Sequence, residues 1–421
     1  MHVINQPATT MLDTLGLRKI PGIKRDKENK EQKEENDEPK KPYAMQKPPN
    51  TALRQQRLKA WQPVLTHVTV LPLLFIMGSI FAIIGGVMYW SSMQVNELRI
   101  DYTKCRELNP SDQFSEIPTD YYKYRFNNLK SSDVSAPEWR MQQIERPPSS
   151  QPSFLCTVRF SVPATLDESV FLYYHLSNYY QNHRRYLKNI DFQQLLGQNV
   201  SKKELSDGTC KPLGVDKSMD KAIYPCGLIA NSVFNDTFSD LTLLNDQGAS
   251  NGTYVMSERN IVWPNEKYKY VTPPYPASDV VPPPFWRGGA GTEFSFGDNY
   301  EDGKVFDPTK SEHFQVWMRT AGFPSFRKLF QRNDTAPLVA GRYSINVTDN
   351  YPVSMFEGTK AFVISTSSWM GGRNPIMGAS NISVAALCFF AGFLLTAKQI
   401  FFPRHVGDMS YLSWNNPRRQ T

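Results

Sequence analysis

The chain has 421 residues, and its 47 Lys and Arg against 40 Asp and Glu leave a net charge of +7, which marks neither a strong polyanion binder nor an acidic protein. A hydrophobic share of 40% with 13% aromatic residues supplies a sizeable core and excludes a wholly disordered chain. The mean hydropathy of −0.46 is that of a soluble protein, but an average conceals two uncharged runs, and these decide the architecture.

Residues 1–49 are charged and poor in large apolar side chains; the run from Lys24 to Lys41 (KRDKENKEQKEENDEPKK) reads as a disordered tail. Residues 50–67 combine basic residues with Leu53, Leu58 and Trp61, the pattern of a juxtamembrane segment that anchors on a membrane surface or docks on a partner. From Val68 to Trp90 there are 23 residues without a charge. As a helix rising 1.5 Å per residue such a run covers about 34 Å, enough for a hydrocarbon core of about 30 Å. Gly78, Ala82 and Gly86 recur at i, i+4, i+8 within it and predict a face for close helix packing.

Beyond this first span, period-two alternation predicts strands over Glu97 to Tyr102, Phe154 to Phe160, Arg342 to Thr348 and Lys360 to Thr366. Asn178 to Lys188 and Ser311 to Phe330 read as helices, and six prolines between Pro273 and Pro284 predict an extended segment over the surface. Ile376 to Ala397 is a second uncharged run, of 22 residues, and 398–421 form a short basic tail. The expected fold class is therefore α+β, with two transmembrane helices flanking a large, mainly antiparallel β ectodomain, residues 91–375, that carries helical insertions.

The first span is not a cleaved signal peptide, because 67 mostly polar residues precede it. Lys47, Arg54, Arg57 and Lys59 lie before it, and Lys398, Arg404, Arg418 and Arg419 follow the second, so both termini are expected to be cytosolic. Residues 1–67 carry +5 and residues 398–421 carry +3, which leaves −1 for residues 91–375 on the lumenal or extracellular side. Cys105, Cys156, Cys210 and Cys226 all fall there, an even set in a disulfide-permissive compartment, without the short paired spacings of a zinc site. Four cysteines allow three pairings; the nearest-neighbour one, Cys105 with Cys156 and Cys210 with Cys226, is preferred. Cys388, inside the second span, has no partner. Acceptor sequons begin at Asn199, Asn235, Asn251, Asn333 and Asn346 in the same region, whereas a sixth, at Asn381, lies inside the second span and reads as a chance match.

The sequence offers no catalytic constellation. The histidines are scattered without a metal-binding pattern, and no metal or other cofactor is expected. Asp298 to Asp302 resembles the start of a calcium loop, but Tyr300 takes a ligand position and Thr309 stands where the bidentate Glu belongs. Ser218 and Lys221 match S-x-x-K without its companion motifs. Two spans are too few to line a polar path for a substrate, so a non-catalytic accessory subunit is the natural reading. The competing readings are a membrane-tethered lumenal glycan-processing enzyme and a surface receptor module. Nucleic acid is not an expected partner.

Several blocks then resemble one family, the ligand-effect-modulator or cell division control protein 50 family. They are Asn50 to Thr66, Ile100 to Cys105, Tyr173 to Tyr186, Pro225 to Phe238, Ile261 to Pro264, Phe314 to Phe330, Asn350 to Val353 and Phe356 to Lys360. The resemblance, over about residues 48 to 405, implies the beta subunit of a type-IV P-type ATPase, a phospholipid flippase, whose catalytic alpha subunit is the partner alongside membrane lipids. It implies a role in folding of the complex, in export from the endoplasmic reticulum to Golgi, endosomes or plasma membrane, and in activity. It also implies sequential disulfide pairing, and glycosylation that maps best onto Asn235.

Overall fold

The computed structural model describes residues 50–59, 65–127, 134–144, 153–245, 247–288, 292–300, 305–403 and 409. The tail expected over 1–49, Trp61, Asp302, and the basic residues Arg404, Arg418 and Arg419 lie outside the described residues. Residues 50–59 form a local turn, closed by the Gln55 N–H on Thr51 O (2.9 Å) and the Arg57 N–H on Ala52 O (2.7 Å).

Each uncharged run is the centre of a longer helix, His67–Met93 and Pro375–Phe401, both 27 residues. Both are long and apolar enough to cross a membrane. The start of the second is set by capping chemistry: Asn374 accepts from the Ile376 N–H (3.2 Å), and Pro375 occupies the first turn, where its missing N–H costs nothing.

Between the helices lies a sandwich of antiparallel sheets. One has five strands in the order Phe326–Asn333, Val170–Leu176, Lys360–Ser365, Glu97–Asp101, Tyr122–Arg125. The other is built on Gly341–Asp349 paired with Ser153–Val162, which pairs in turn with Glu138–Ile144. The core follows from the strand period: Leu98, Ile100, Leu172, Tyr174, Phe362 and Ile364 point inward from the first sheet against Val158, Phe160, Ile345 and Val347 of the second. Rings meet across the gap, Phe160 at 5.7 Å and Phe238 at 6.4 Å from Phe362 between centroids. All four strands expected from alternation are present, each within a few residues of its expected ends.

The two expected helices are largely corrected. Of Asn178 to Lys188 only Arg184–Leu187 is helical, because Asn178 takes a left-handed φ of 57° and the ψ of His183, 128°, is that of extended chain. Of Ser311 to Phe330 only Glu312–Met318 is helical, capped by the Ser311 hydroxyl, and Phe326–Asn333 is instead an edge strand. Pro324, just past the exposed Gly322 and Phe323, cannot continue a helix, and the aromatic spacing that suggested one continues by coincidence into the strand. The proline segment is irregular apart from the two-residue strand Val280–Val281.

Candidate functional site

The two long helices pack antiparallel along a seam of small residues spaced by sevens. Gly78, Gly85 and Ser92 are buried on the first, and Gly378, Ala385 and Gly392 on the second. A methyl added to Gly85 would lie 2.9 Å from the Ile382 backbone nitrogen, and one on Gly378 would lie 2.6 Å from that of Tyr89. Gly392 receives the Phe75 ring, and Gly78 faces Cys388 and Phe389. The expected stripe is corrected here. Gly78 belongs to the seam and Ala82 is half-buried, but Gly86 is exposed with nothing within 4 Å of its missing side chain, and Gly85 takes its place. At about 100° per residue, eight residues rotate a position about 80° off the seam, whereas seven bring it back to within about 20°. The opposite faces stay uncovered: Ile76, Ile83, Leu387 and Phe393 are each more than half exposed.

The helix pair is fastened to the sandwich at one junction. Arg373 donates to Val95 O (3.0 Å), the Asn374 N–H donates to Ser92 Oγ (2.9 Å), and the backbone of Asn96 meets Thr366. Glu97, at the start of the first strand, receives Arg327 (2.6 Å) and Arg125 (3.5 Å). Deeper in, Cys105 is bonded to Cys156, which ties the end of the first strand to the second sheet, and Cys210 is bonded to Cys226 within the helical insertions.

Next to the first disulfide lies a group that sequence reasoning passed over. Lys360 is 2% exposed, and its three ammonium hydrogens are all used: Asp236 Oδ2 at 2.7 Å, Asp349 Oδ1 at 2.8 Å and Tyr351 O at 2.7 Å. Asp236 also accepts from the Tyr102 hydroxyl (2.8 Å) and the Tyr351 N–H (2.6 Å). Burial outweighs the Lys360 charge and holds the Asp349 carboxyl above the usual carboxylate range. Burial, and then the Asp236 charge, push the Tyr102 phenol well up. Three stretches of chain far apart in sequence, at 102, 236 and 349–360, thus gather around one ammonium. The signal was present: Lys360 shares the inward face of its strand with Phe362 and Ile364, and a charge on an apolar face demands buried partners.

The sequons are scattered over the sandwich and its insertions. Asn199, Asn251 and Asn346 are exposed, and Asn235 and Asn333 are half-buried. Asn333 Nδ2, the atom a glycan would take, donates to Val255 O (2.8 Å). Asn381 packs between the spans, donating to Met377 O (2.8 Å). Ser218 and Lys221 are not a nucleophile and its base: the hydroxyl donates to Asp216 (2.6 Å) and the amine to Asn299 (3.3 Å). Asp307 is engaged with Thr309 in a turn (2.7 Å). Among the described residues no three His, Cys, Asp or Glu side chains are grouped to hold a metal. The arrangement is built to hold shape and to present surfaces.

Comparison with known proteins agrees with that geometry. The model of the LEM3 (ligand-effect modulator 3) family / CDC50 family matches residues 88–405. The phospholipid-transporting ATPase accessory subunit CDC50 of Chaetomium thermophilum is 38% identical over 88% of this chain and 92% of its own length. Accessory subunit CRF1 of Saccharomyces cerevisiae is 39% identical, over 88% and 89%. Cell cycle control protein 50A of Mus musculus is 37% identical, over 83% and 88%. The seam, the disulfides and the Lys360 cluster all fall wholly or largely inside the matched region, and the chain belongs to the ligand-effect modulator 3 / CDC50 family.

Proposed function

We propose that this chain is the non-catalytic accessory subunit of a phospholipid-flipping P-type ATPase of type IV, needed for folding of the complex, for its export from the endoplasmic reticulum and for its activity. The reading rests on one combination: relatives named as accessory subunits of phospholipid-transporting ATPases, and two spans that pair with each other through their small residues while leaving aliphatic outer faces uncovered. Two spans cannot enclose a path for a lipid headgroup, but they can dock on the helices of a larger partner. The ATPase performs the phosphoryl chemistry; this chain contributes shape.

In this scheme residues 1–49 are a cytosolic tail, 50–67 a cytosolic juxtamembrane segment, 68–90 and 376–397 the membrane-embedded parts of the two helices, and 398–421 a second cytosolic tail. Residues 91–375 form the lumenal or extracellular domain, glycosylated at Asn199, Asn235, Asn251, Asn333 and Asn346, and the complex moves from the endoplasmic reticulum to Golgi, endosomes or plasma membrane. Purification of the full chain in mild detergent from its own cells is expected to bring down a much larger ATPase, identifiable by mass spectrometry. Recovery of the chain alone across several detergents, together with normal lipid asymmetry in cells lacking it, overturns the proposal.

A further inference from the structure

The strand Phe326–Asn333 is one edge of the five-stranded sheet. Beside it, the end of the helix Glu312–Met318 and residues 261–266 enclose a cavity of about 430 Å³, to which the accessory role assigns nothing. Lys328 lines it and is 7% exposed. Its ammonium donates to Trp317 O (2.5 Å) and lies 4.6 Å from the centre of the Trp317 ring, but among the described residues no carboxylate pairs with it. Burial pushes the amine well below the usual lysine range, the response of a cation taken out of water without a counter-ion.

A second cation stands at the same cavity. The Arg319 guanidinium lies 5.1 Å from the centre of the exposed Trp263 ring and likewise has no carboxylate partner among the described residues. The lining carboxylate, Glu266, is already held by Lys269 (2.6 Å). Gln315 adds a different demand. Its Nε2 donates to Pro308 O (2.8 Å), and since a carbonyl can only accept, the amide orientation is fixed. Its Oε1 is therefore left buried without a donor, on a side chain 1% exposed that lines the cavity. Two cations without counter-ions and one acceptor without a donor describe the complement of a particular ligand.

We propose that this cavity binds an oxyanion group, phosphate or carboxylate, on a molecule that also offers a hydroxyl or amine donor. Lys328 and Arg319 hold the anion, Arg319 closing over it from the Trp263 rim, and Gln315 Oε1 accepts from the neighbouring donor. Such a group reaches the cavity either free in solution or as the head of a lipid.

The test is calorimetric titration of the full chain in uncharged detergent, without the ATPase, so that it stands or falls apart from the accessory role. The soluble probes are inorganic phosphate and glycerol 3-phosphate, with glycerol as the uncharged control. The lipid probe is dihexanoyl phosphatidylglycerol, whose head carries both a phosphate and hydroxyl donors, with dihexanoyl glycerol as its uncharged control. Saturable binding of glycerol 3-phosphate at or below about 1 mM, tighter than phosphate and absent with glycerol, is the result expected of a free ligand. Saturation by the phosphatidylglycerol alone assigns the lipid head. In either case Lys328→Met and Arg319→Gln each weaken binding about tenfold or more. Arg319→Gln changes an exposed side chain, so it reports even where Lys328→Met does not fold. Absence of saturable binding to every charged probe, or binding that Arg319→Gln leaves unchanged, overturns the proposal.

Discussion

Replacing Lys360 by Met tests whether the buried ion cluster is what locks the sandwich. Methionine keeps most of the volume and removes the charge, so packing is nearly conserved while three hydrogen bonds, to Asp236, Asp349 and Tyr351, are lost. Two carboxylates, 1% and 3% exposed, then remain without their counter-ion. Removing one partner of a buried ion pair costs about 3–5 kcal/mol, chiefly through the uncompensated charge left behind. For a domain of this size each kcal/mol lowers the melting temperature by about 2 °C, so the expected fall is about 6–10 °C. Thermal unfolding of the full chain in detergent, under non-reducing conditions, measures it. Asp349→Asn added to Lys360→Met removes one stranded charge and is expected to recover part of the loss. A single variant that melts within about 2 °C of the parent, or a double variant as damaged as the sum of its parts, refutes the reasoning.

Three further outcomes follow from other parts of the molecule. Gly85→Val forces a side chain against the Ile382 backbone and is expected to lower both the yield and the melting temperature of the monodisperse chain, while Gly86→Val, with open space around it, is tolerated; equal behaviour contradicts the sevenfold seam. The chain-entropy estimate assigns roughly 4 kcal/mol to the bond that spans 51 residues and roughly 3 kcal/mol to the one that spans 16. Cys105→Ser should therefore cost at least as much stability as Cys226→Ser, and both more than Cys388→Ala; an effect of Cys388→Ala as large as either would break this ordering. Burial, with Arg99 and Arg327 adding to it, holds His175 at about 4, below its ordinary value of 6.5. A base with a depressed folded pKa contributes stability above about pH 6.5 that is lost as pH falls toward 4. Denaturant midpoints are thus expected to drop on acidification less steeply in His175→Gln than in the parent, and parallel slopes would exclude His175 as a contributor.

The parts of the fold that were legible in the sequence share one property: the local pattern and the tertiary environment agree. Along Gly341–Asp349 burial alternates because one face meets the other sheet, and although Glu97–Asp101 and Lys360–Ser365 are covered on both faces, their residue types still show the period of two. Where they disagree, the reading failed. Trp317, Phe326 and Phe330 are buried or half-buried around the same aromatic cluster, but the first sits on a helix and the other two on a strand, while Phe314 of that helix packs on Trp286 and Phe306 instead. Their common burial reflects a shared destination in space and carries no period. The Lys360 cluster was hidden for a related reason. Asp236 lies 124 residues from Lys360 and 134 from Tyr102, and only the anomaly of a lysine on an apolar face hinted at the cluster.

The seam between the spans shows what a spacing argument can and cannot carry. Small residues at intervals of four and of seven both promise close approach, but they place the interface differently. A four-residue stripe drifts around the helix and suits a short right-handed crossing, whereas a seven-residue stripe stays on one side through a left-handed pair. Here both helices keep the seven-residue stripe, 78, 85, 92 against 392, 385, 378, so the buried seam stays on one side of each helix from Gly78 to Ser92 and from Gly378 to Gly392. That commits Gly78 and Gly85 of one helix and Gly378, Ala385 and Gly392 of the other to the pair, while Gly86 stays exposed. A further helix in the membrane finds outer faces rich in bulky side chains, around Ile76 and Ile83 on one span and Leu387 and Phe393 on the other. Those contacts would rest on shape fit between large side chains, and changes there would weaken association with a partner without loosening the pair itself.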